Sequence, residues 1–124
     1  MLDLATLRTQ RAQMEILHPK TGEAVGLRLE LLPPDSPEIK AKVRTLRDAV
    51  MHKARRNVPV SSADTERNSV ELCSVAVVGW EWHGEGTWNG EKPSFNRATL
   101  AEMLAVDWLR QQVDDYLGDQ KNFF

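Results

Sequence analysis

The chain has 124 residues and a mass of 14.1 kDa, which leaves room for one domain and excludes a multidomain machine. Hydrophobic residues make up 41% and charged residues 27%, so a modest globular core is expected and a wholly disordered chain is excluded. The net charge of -2 conceals an asymmetry, because residues 1–62 hold 11 Lys or Arg against 7 Asp or Glu, whereas residues 63–124 hold 5 against 11.

The sequence shows no segment suited to membrane insertion or secretion. No apolar run approaches the roughly 20 residues of a membrane-spanning helix, and the first ten residues lack the apolar core of a signal peptide. The single cysteine, Cys73, excludes an internal disulfide framework and suits a reducing compartment. We therefore expect the protein to stay in the cytoplasm of the cell that makes it.

The N-terminal third predicts a flexible arm and a β-hairpin. Residues 1–12 are polar and indicate an arm. Apolar residues then alternate with polar ones, the period of strands with one buried face, on both sides of a turn that contains Pro19 and Gly22. This pattern predicts a hairpin over residues 13–32.

A basic amphipathic helix is predicted over residues 36–55. Ser36 is a favourable N-cap and Pro37 suits the first helical position. The apolar residues recur at helical spacing and predict a buried stripe: Ile39, Val43, Leu46 and Val50. The other faces carry seven cations: Lys40, Lys42, Arg44, Arg47, Lys53, Arg55 and Arg56.

The second half predicts three further helices and a loop rich in tryptophan. Helical spacing of Val70, Cys73 and Val77 favours a helix over 62–78, although the β-branched run 75–78 allows a strand. Four glycines and three tryptophans indicate a structured loop over 79–95. Shorter apolar stripes predict helices over 97–104 and 107–117. The fold class is therefore α+β, with one domain over 13–124 that combines the N-terminal β-hairpin, three to four α-helices and the Trp-rich loop.

Catalytic chemistry finds little support in the sequence. Glu81, His83 and Glu85 alternate around a tryptophan, but there is neither a second histidine at helical spacing nor a downstream cysteine pair. Cys73 lies in an apolar run, where burial disfavours the thiolate. We therefore assign no catalytic, cofactor-binding or metal-binding residue, expect no cofactor, and expect that the protein is not an enzyme.

Two features suggest binding instead. The basic helix 40–56 could neutralise phosphates of a nucleic acid, or match the acidic half of the same chain or of another copy. The aromatic residues also have two expected roles. Trp80 and Trp108 are expected in the core, whereas Trp82 or Trp88, with the two terminal phenylalanines, are expected to form an exposed docking surface. The residues proposed to bind a partner are Trp82, Trp88, Phe123, Phe124, Lys40, Arg44 and Arg47.

Five motifs in order give the chain a family resemblance. They are HPKTGE followed by PDSPE within residues 14–44, then VVGWEW, the SFN helix start, and DWLRQQVDDYLGDQKNFF within residues 77–124. Together they cover about two thirds of the chain, and residues 45–76 add little. In this order they resemble the small tail assembly chaperones and tail-component proteins of long-tailed bacteriophages and prophages.

The resemblance implies a non-enzymatic protein of the host cell cytoplasm. Chaperones of this family bind the tape measure protein, and in some phages the tail tube protein, during tail morphogenesis. Two alternatives stay open: a structural tail or connector component of the virion, whose hairpin could add a strand to a neighbour's sheet, and a nucleic-acid-binding protein that uses the basic helix 40–56.

Overall fold

The computed structural model describes residues 2–124 and confirms the α+β class. A three-stranded antiparallel sheet packs against helices, in the strand order β1-β2-β3. The strands and helices, in chain order, are β1 (Ala12–Leu17), β2 (Ala24–Leu31), α1 (Pro37–Arg55), α2 (Ser62–Ala76), β3 (Val77–Trp82), α3 (Arg97–Leu104) and α4 (Asp107–Leu117). Two 3-10 turns, Leu4–Thr6 and Gln120–Phe123, lie near the ends of the chain.

The predicted N-terminal hairpin is confirmed. Strands β1 and β2 pair antiparallel across a turn in which the His18 imidazole Nδ1 accepts the backbone N–H of Lys20 and of Thr21, at 3.1 and 3.3 Å. Gly22 closes the turn at a φ of 75°, a conformation that glycine adopts without steric cost. Strand β1 begins at Ala12, the last residue of the predicted arm, and the arm's flexibility stays a prediction.

Residues 77–82 form a strand, so the predicted helix 62–78 is wrong at its C-terminal end and the predicted loop 79–95 at its start. Helix α2 ends at Ala76, and β3 continues from it directly to pair with β2. The apolar residues of α2 continue at helical spacing to Val77. However, the edge of β2 that does not face β1 carries unpaired backbone N–H and C=O groups, and residues 77–82 satisfy them by pairing as a strand. Val77, Trp80 and Trp82, all β-branched or aromatic, fit that pleated surface well.

The loop after β3 is anchored by glycine backbones and by a tight turn. Gly84 packs so closely on Gly26 that a Cβ on Gly84 would lie 2.8 Å from the Gly26 Cα. Further on, Trp88 and Glu91 pair across Asn89 and Gly90, which both have positive φ, as in a type I′ hairpin turn. The loop is therefore ordered by backbone contacts as well as by its tryptophans.

The main core lies between the sheet and the C-terminal helices. Leucines of β2 and the apolar face of β1 contact α2, α3 and α4. The fully or almost fully buried side chains include Ile16, Leu29, Leu31, Cys73, Val77, Leu100, Met103, Leu104, Val113 and Phe123. Since the outer face of the sheet carries charged residues, it is a one-sided sheet of the kind that antiparallel strands commonly build.

Helix α1 is attached to the molecule mainly through α2. The Ser36 hydroxyl accepts the Ile39 N–H and caps the helix, with Pro37 at its first position, as predicted. Ile39 is the one buried residue of α1, and it joins Leu32 and Ala76 in a small second core. The rest of the helix projects as one arm of an α1–α2 hairpin. Among the described residues, none of the helices has both the length and the apolarity that crossing a bilayer requires.

Candidate partner-binding surface

The apolar stripe predicted to bury α1 is largely exposed. Val43, Val50 and Met51 have between 36% and 48% of their surface exposed, so the prediction that Val43 and Val50 are core residues is wrong. The reason is that α1 packs against a single helix, whereas a stripe of this width requires a second partner. The contact with α2 uses a neighbouring sector of α1, which includes Leu46 and Lys53.

Two of the seven cations of α1 are neutralised inside the α1–α2 hairpin. The Lys42 Nζ lies 3.4 Å from Glu71 and the Lys53 Nζ lies 2.7 Å from Asp64. The hydrogen bond from Lys53, with the backbone N–H of Ser61, holds the pKa of Asp64 far below its ordinary value. Asp64 and Ser61 also form a capping box, so the Asp64 carboxylate both caps the N-terminus of α2 and holds α1 against α2 through Lys53.

The remaining cations of α1 are free of ion pairs. Within residues 2–124, no carboxylate oxygen lies within 4 Å of the charged groups of Lys40, Arg44, Arg47, Arg55 or Arg56. At 100° per residue, the first four of these share an arc of about 140° with the three exposed apolar residues of the helix. We call this arc the α1 basic surface, and it comprises Lys40, Val43, Arg44, Arg47, Val50, Met51 and Arg55.

An apolar groove adjoins the α1 basic surface. A cavity of about 250 Å³ lies between α1 and α2, with Leu46, Ala49, Val50 and Val60 along its walls. Val60 is exposed, as is its neighbour Val58 in the connection between the two helices. Exposed apolar side chains that cluster beside unpaired cations are typical of a surface that contacts another macromolecule.

The predicted partner-binding residues fall into separate regions. Lys40, Arg44 and Arg47 lie together on the α1 basic surface, whereas the four predicted aromatic residues belong to other elements. Phe123 is 0% exposed in the main core and packs edge to face on Tyr116, so the expectation that its ring is on the surface is wrong, and partner binding by Phe123 stays an untested prediction. Its neighbour Phe124 is 56% exposed.

The tryptophans of β3 and of the loop after it make hydrogen bonds within the chain, and partner binding by Trp82 and Trp88 stays a prediction. The indole N–H groups of Trp80 and Trp82 both donate to the Pro93 carbonyl at 2.8 Å, and that of Trp88 donates to Glu102 at 3.0 Å. These three side chains are half-buried against the main core. Trp108, which was expected inside, is instead 41% exposed.

Residues 81–85 contribute to a ladder of charges on the outer face of the sheet. The His83 Nε2 lies 2.7 Å from Glu15, and Arg28 bridges Glu15 on one strand and Glu81 on another. Burial raises the pKa of Glu15, but the hydrogen bonds from His83 and Arg28 outweigh it and leave that pKa lowered. These groups therefore hold three strands in register. No cluster of His, Cys, Asp or Glu in residues 2–124 is arranged to bind a metal ion.

Cys73 is held in the core as a protonated thiol. Its Sγ donates to Asp114 Oδ1 at 3.1 Å, and the Ser69 hydroxyl donates to the other oxygen at 2.6 Å. Burial and the neighbouring carboxylate raise the pKa of the Cys73 thiol well above its ordinary value. The thiol therefore lacks the properties of a nucleophile.

Side chains cover backbone groups at the ends of the two edge strands, where the hairpin was expected to offer a free edge. At β1, the Gln112 amide accepts the Leu17 N–H at 2.9 Å and donates to the Leu17 carbonyl at 2.7 Å. At β3, Arg97 donates to the Val77 carbonyl at 3.0 Å and Lys92 donates to the Gly84 carbonyl at 2.6 Å, just beyond the strand. These caps disfavour strand addition by a neighbour.

The fold and its surfaces define a small α+β protein with an uncovered basic helix. No protein-family model matches the chain, and no significant match was found among curated proteins or solved structures.

Proposed function

We propose that this chain is a tail assembly chaperone of a long-tailed bacteriophage or prophage. In this proposal it acts without catalysis in the host cell cytoplasm and binds the tape measure protein, and in some phages the tail tube protein, while tails are built. The class comes from the ordered motifs that resemble this family. The described residues add a physical reason for binding, which is the α1 basic surface.

The α1 basic surface is the observation that carries the proposal. Four cations and three apolar side chains face solvent on one side of a helix of 19 residues. A partner that covers these apolar side chains would stabilise the complex by roughly 25 cal/mol for each Å² of apolar surface removed from water. An amphipathic helix with acidic flanks has the matching chemistry. A chaperone for a long helical protein requires such a surface.

The test is co-expression with the tape measure protein of the same phage. The soluble fraction of the tape measure protein should rise when this chain is present, and a tagged chain should retain it in a pull-down. The double variant Arg44→Glu, Arg47→Glu should lose both effects. The control, Lys20→Glu with Lys121→Glu, makes the same change of charge at exposed sites outside α1 and should behave as the native chain.

Two outcomes would contradict the proposal. If the tape measure protein is equally soluble with and without the chain, and is not retained by it, the chaperone function is refuted. If the chain is instead found in purified mature particles at a fixed number of copies, it is a structural virion component.

A nucleic-acid-binding function is the second candidate, and the five unpaired cations of α1 are the observation that favours it. Contacts with phosphates release counterions, so such binding weakens steeply as salt rises. Duplex DNA of random sequence, titrated at 50 mM and 200 mM salt, tests it. An affinity that falls by at least tenfold over this range, and that is lost in the Arg44→Glu, Arg47→Glu variant, supports the candidate, whereas no binding at 50 mM salt refutes it.

A further inference from the structure

We propose that copies of this chain associate through the α1 basic surface of one copy and an acidic face of helix α4 on the next. This inference rests on two surfaces within one chain, and it does not depend on the chaperone function. When no other partner is bound, a second copy of the chain covers the α1 basic surface.

The acidic face of α4 has the complementary composition. Asp107, Trp108, Gln111 and Asp115 are all exposed, and at 100° per residue they lie within an arc of about 100°. We call these four residues the α4 acidic face. The Asp107 side chain is 81% exposed, and Trp108, at 41%, is the one tryptophan of the described part of the chain that counts as exposed.

The surroundings of the α4 acidic face are also negative. A cavity of about 490 Å³ between α2 and α4 has the carboxylates of Glu66, Asp107 and Asp114 on its walls, against the single cation of Arg110. That guanidinium already donates to Asp107 at 2.9 Å and lies 3.6 Å from Glu66. Because Arg110 is the single cation beside three carboxylates, this region keeps a net negative charge that a basic surface of another copy could neutralise.

The two surfaces form no ion pair with each other within one copy, because α1 and α4 contact α2 on different sides. Helix α1 contacts α2 through Asp64 and Glu71, whereas α4 contacts α2 through Glu66 and Ser69. At 100° per residue, these two sets face directions on α2 that differ by more than 100°. Lys40 lines a cavity with Leu117 and Gly118 at the C-terminal end of α4, but no ion pair joins the two surfaces within residues 2–124. Fuller contact between the two surfaces therefore takes a second copy.

Charge also selects the pairing. Two α1 basic surfaces placed together would oppose cations to cations, which costs several kcal/mol in a contact. On the α4 acidic face, Arg44 and Arg47 meet carboxylates instead, and the Trp108 ring offers apolar area to Val43 and Val50 and a π face to a guanidinium. The acidic and basic halves of the sequence thus become the two sides of one contact.

A charge-swap experiment tests the contact. Sedimentation velocity at low salt should show self-association of the native chain, weakened at least tenfold by Arg44→Glu with Arg47→Glu, and equally by Asp107→Lys with Asp115→Lys. The chain with all four substitutions should regain much of the association that each double variant loses, because the charges of Arg44 and Arg47 are reversed together with those of Asp107 and Asp115. Circular dichroism checks that each variant is folded. Trp108→Ala leaves the net charge unchanged and should also weaken association, because it removes the aromatic contact area.

Three results would overturn the inference: a native chain that is monomeric at 100 μM and low salt, association that survives either charge reversal, or a fourfold variant that stays monomeric while folded. These outcomes are distinct from failure of the chaperone proposal, since a strictly monomeric chain that still retains the tape measure protein refutes self-association alone. If both proposals hold, the two partners compete for α1, and adding tape measure protein should reduce the fraction of the chain that sediments as self-associated species.

Discussion

Replacing Phe123 by alanine should destabilise the whole fold, although the residue lies in the last turn of the chain. Its ring is 0% exposed and lies 5.5 Å from Tyr116, centre to centre, in an edge-to-face pair. Removing a buried phenylalanine costs about 3 to 5 kcal/mol, and a terminal turn can relax into the space, so we expect about 3 kcal/mol. Against a total of roughly 5 to 15 kcal/mol, this is a large fraction.

Urea unfolding followed by tryptophan fluorescence measures this change as a lowered midpoint. The control is Phe124→Ala at the neighbouring residue, which is 56% exposed and should alter the free energy of unfolding by less than about 0.5 kcal/mol. The reasoning is refuted if Phe123→Ala costs less than about 1 kcal/mol, or if the two variants are equally destabilised. The same pair bears on recognition, because any loss of partner binding in Phe123→Ala must first be corrected for unfolding.

Three further predictions concern single contacts. The Cys73 thiol should resist alkylation by iodoacetamide at pH 8 in the native chain and react at once in urea, since burial and its bond to a carboxylate raise its pKa; rapid labelling of the native chain would contradict this. Gly84→Ala should destabilise by about 1 to 3 kcal/mol in urea unfolding because the new Cβ meets backbone, whereas Gly118→Ala, whose Cβ would make only ordinary van der Waals contacts at a φ of -74°, should be neutral. Asp64→Asn should be less stable than the native chain at pH 7, and the difference should shrink only as the pH falls below the ordinary pKa of 3.8 toward the much lower pKa that Asp64 has in the folded chain, because the folded carboxylate stays charged until then; a difference unchanged over this acid range would exclude its ion pair with Lys53 as the cause.

Local chemistry made most of the elements predictable. Ser36 and Pro37 predicted where α1 begins, and Asn96 caps α3 by accepting the Thr99 N–H, so side-chain capping is readable from short sequence motifs. The alternation of apolar residues predicted the hairpin in the same way. These features depend on neighbours within a few residues, which the sequence shows directly.

The errors arose where a distant partner decides. Val77 continues the helical spacing of α2, yet pairing with β2, more than 40 residues earlier in the chain, makes it the first residue of a strand. Val43 lies on an apolar stripe that is indistinguishable from one that faces a core, and only the packing of α1 on a single helix exposes it. Phe123 was expected on the surface because terminal residues commonly are, but the core has a place for its ring.

The residues missed in the candidate site share this cause. Met51, Val58 and Val60 join Val43 and Val50 as exposed apolar residues beside the cations. A usable signal was present, since the connection between α1 and α2 places two valines on either side of Pro59 directly after a basic helix. Cations and apolar residues that alternate outside a closed core indicate a binding surface more specifically than tryptophan content does.

The backbone contact between the two ends of the fold has a consequence for its synthesis. The Gln10 N–H donates to the Phe123 carbonyl at 2.7 Å, and the Phe123 ring completes the core that Met14 and Ile16 begin. At roughly 5 to 20 residues per second, a ribosome adds Phe123 about 5 to 20 seconds after Met14. During that interval the nascent chain carries the residues of β1 without the ring that completes the core on its apolar face.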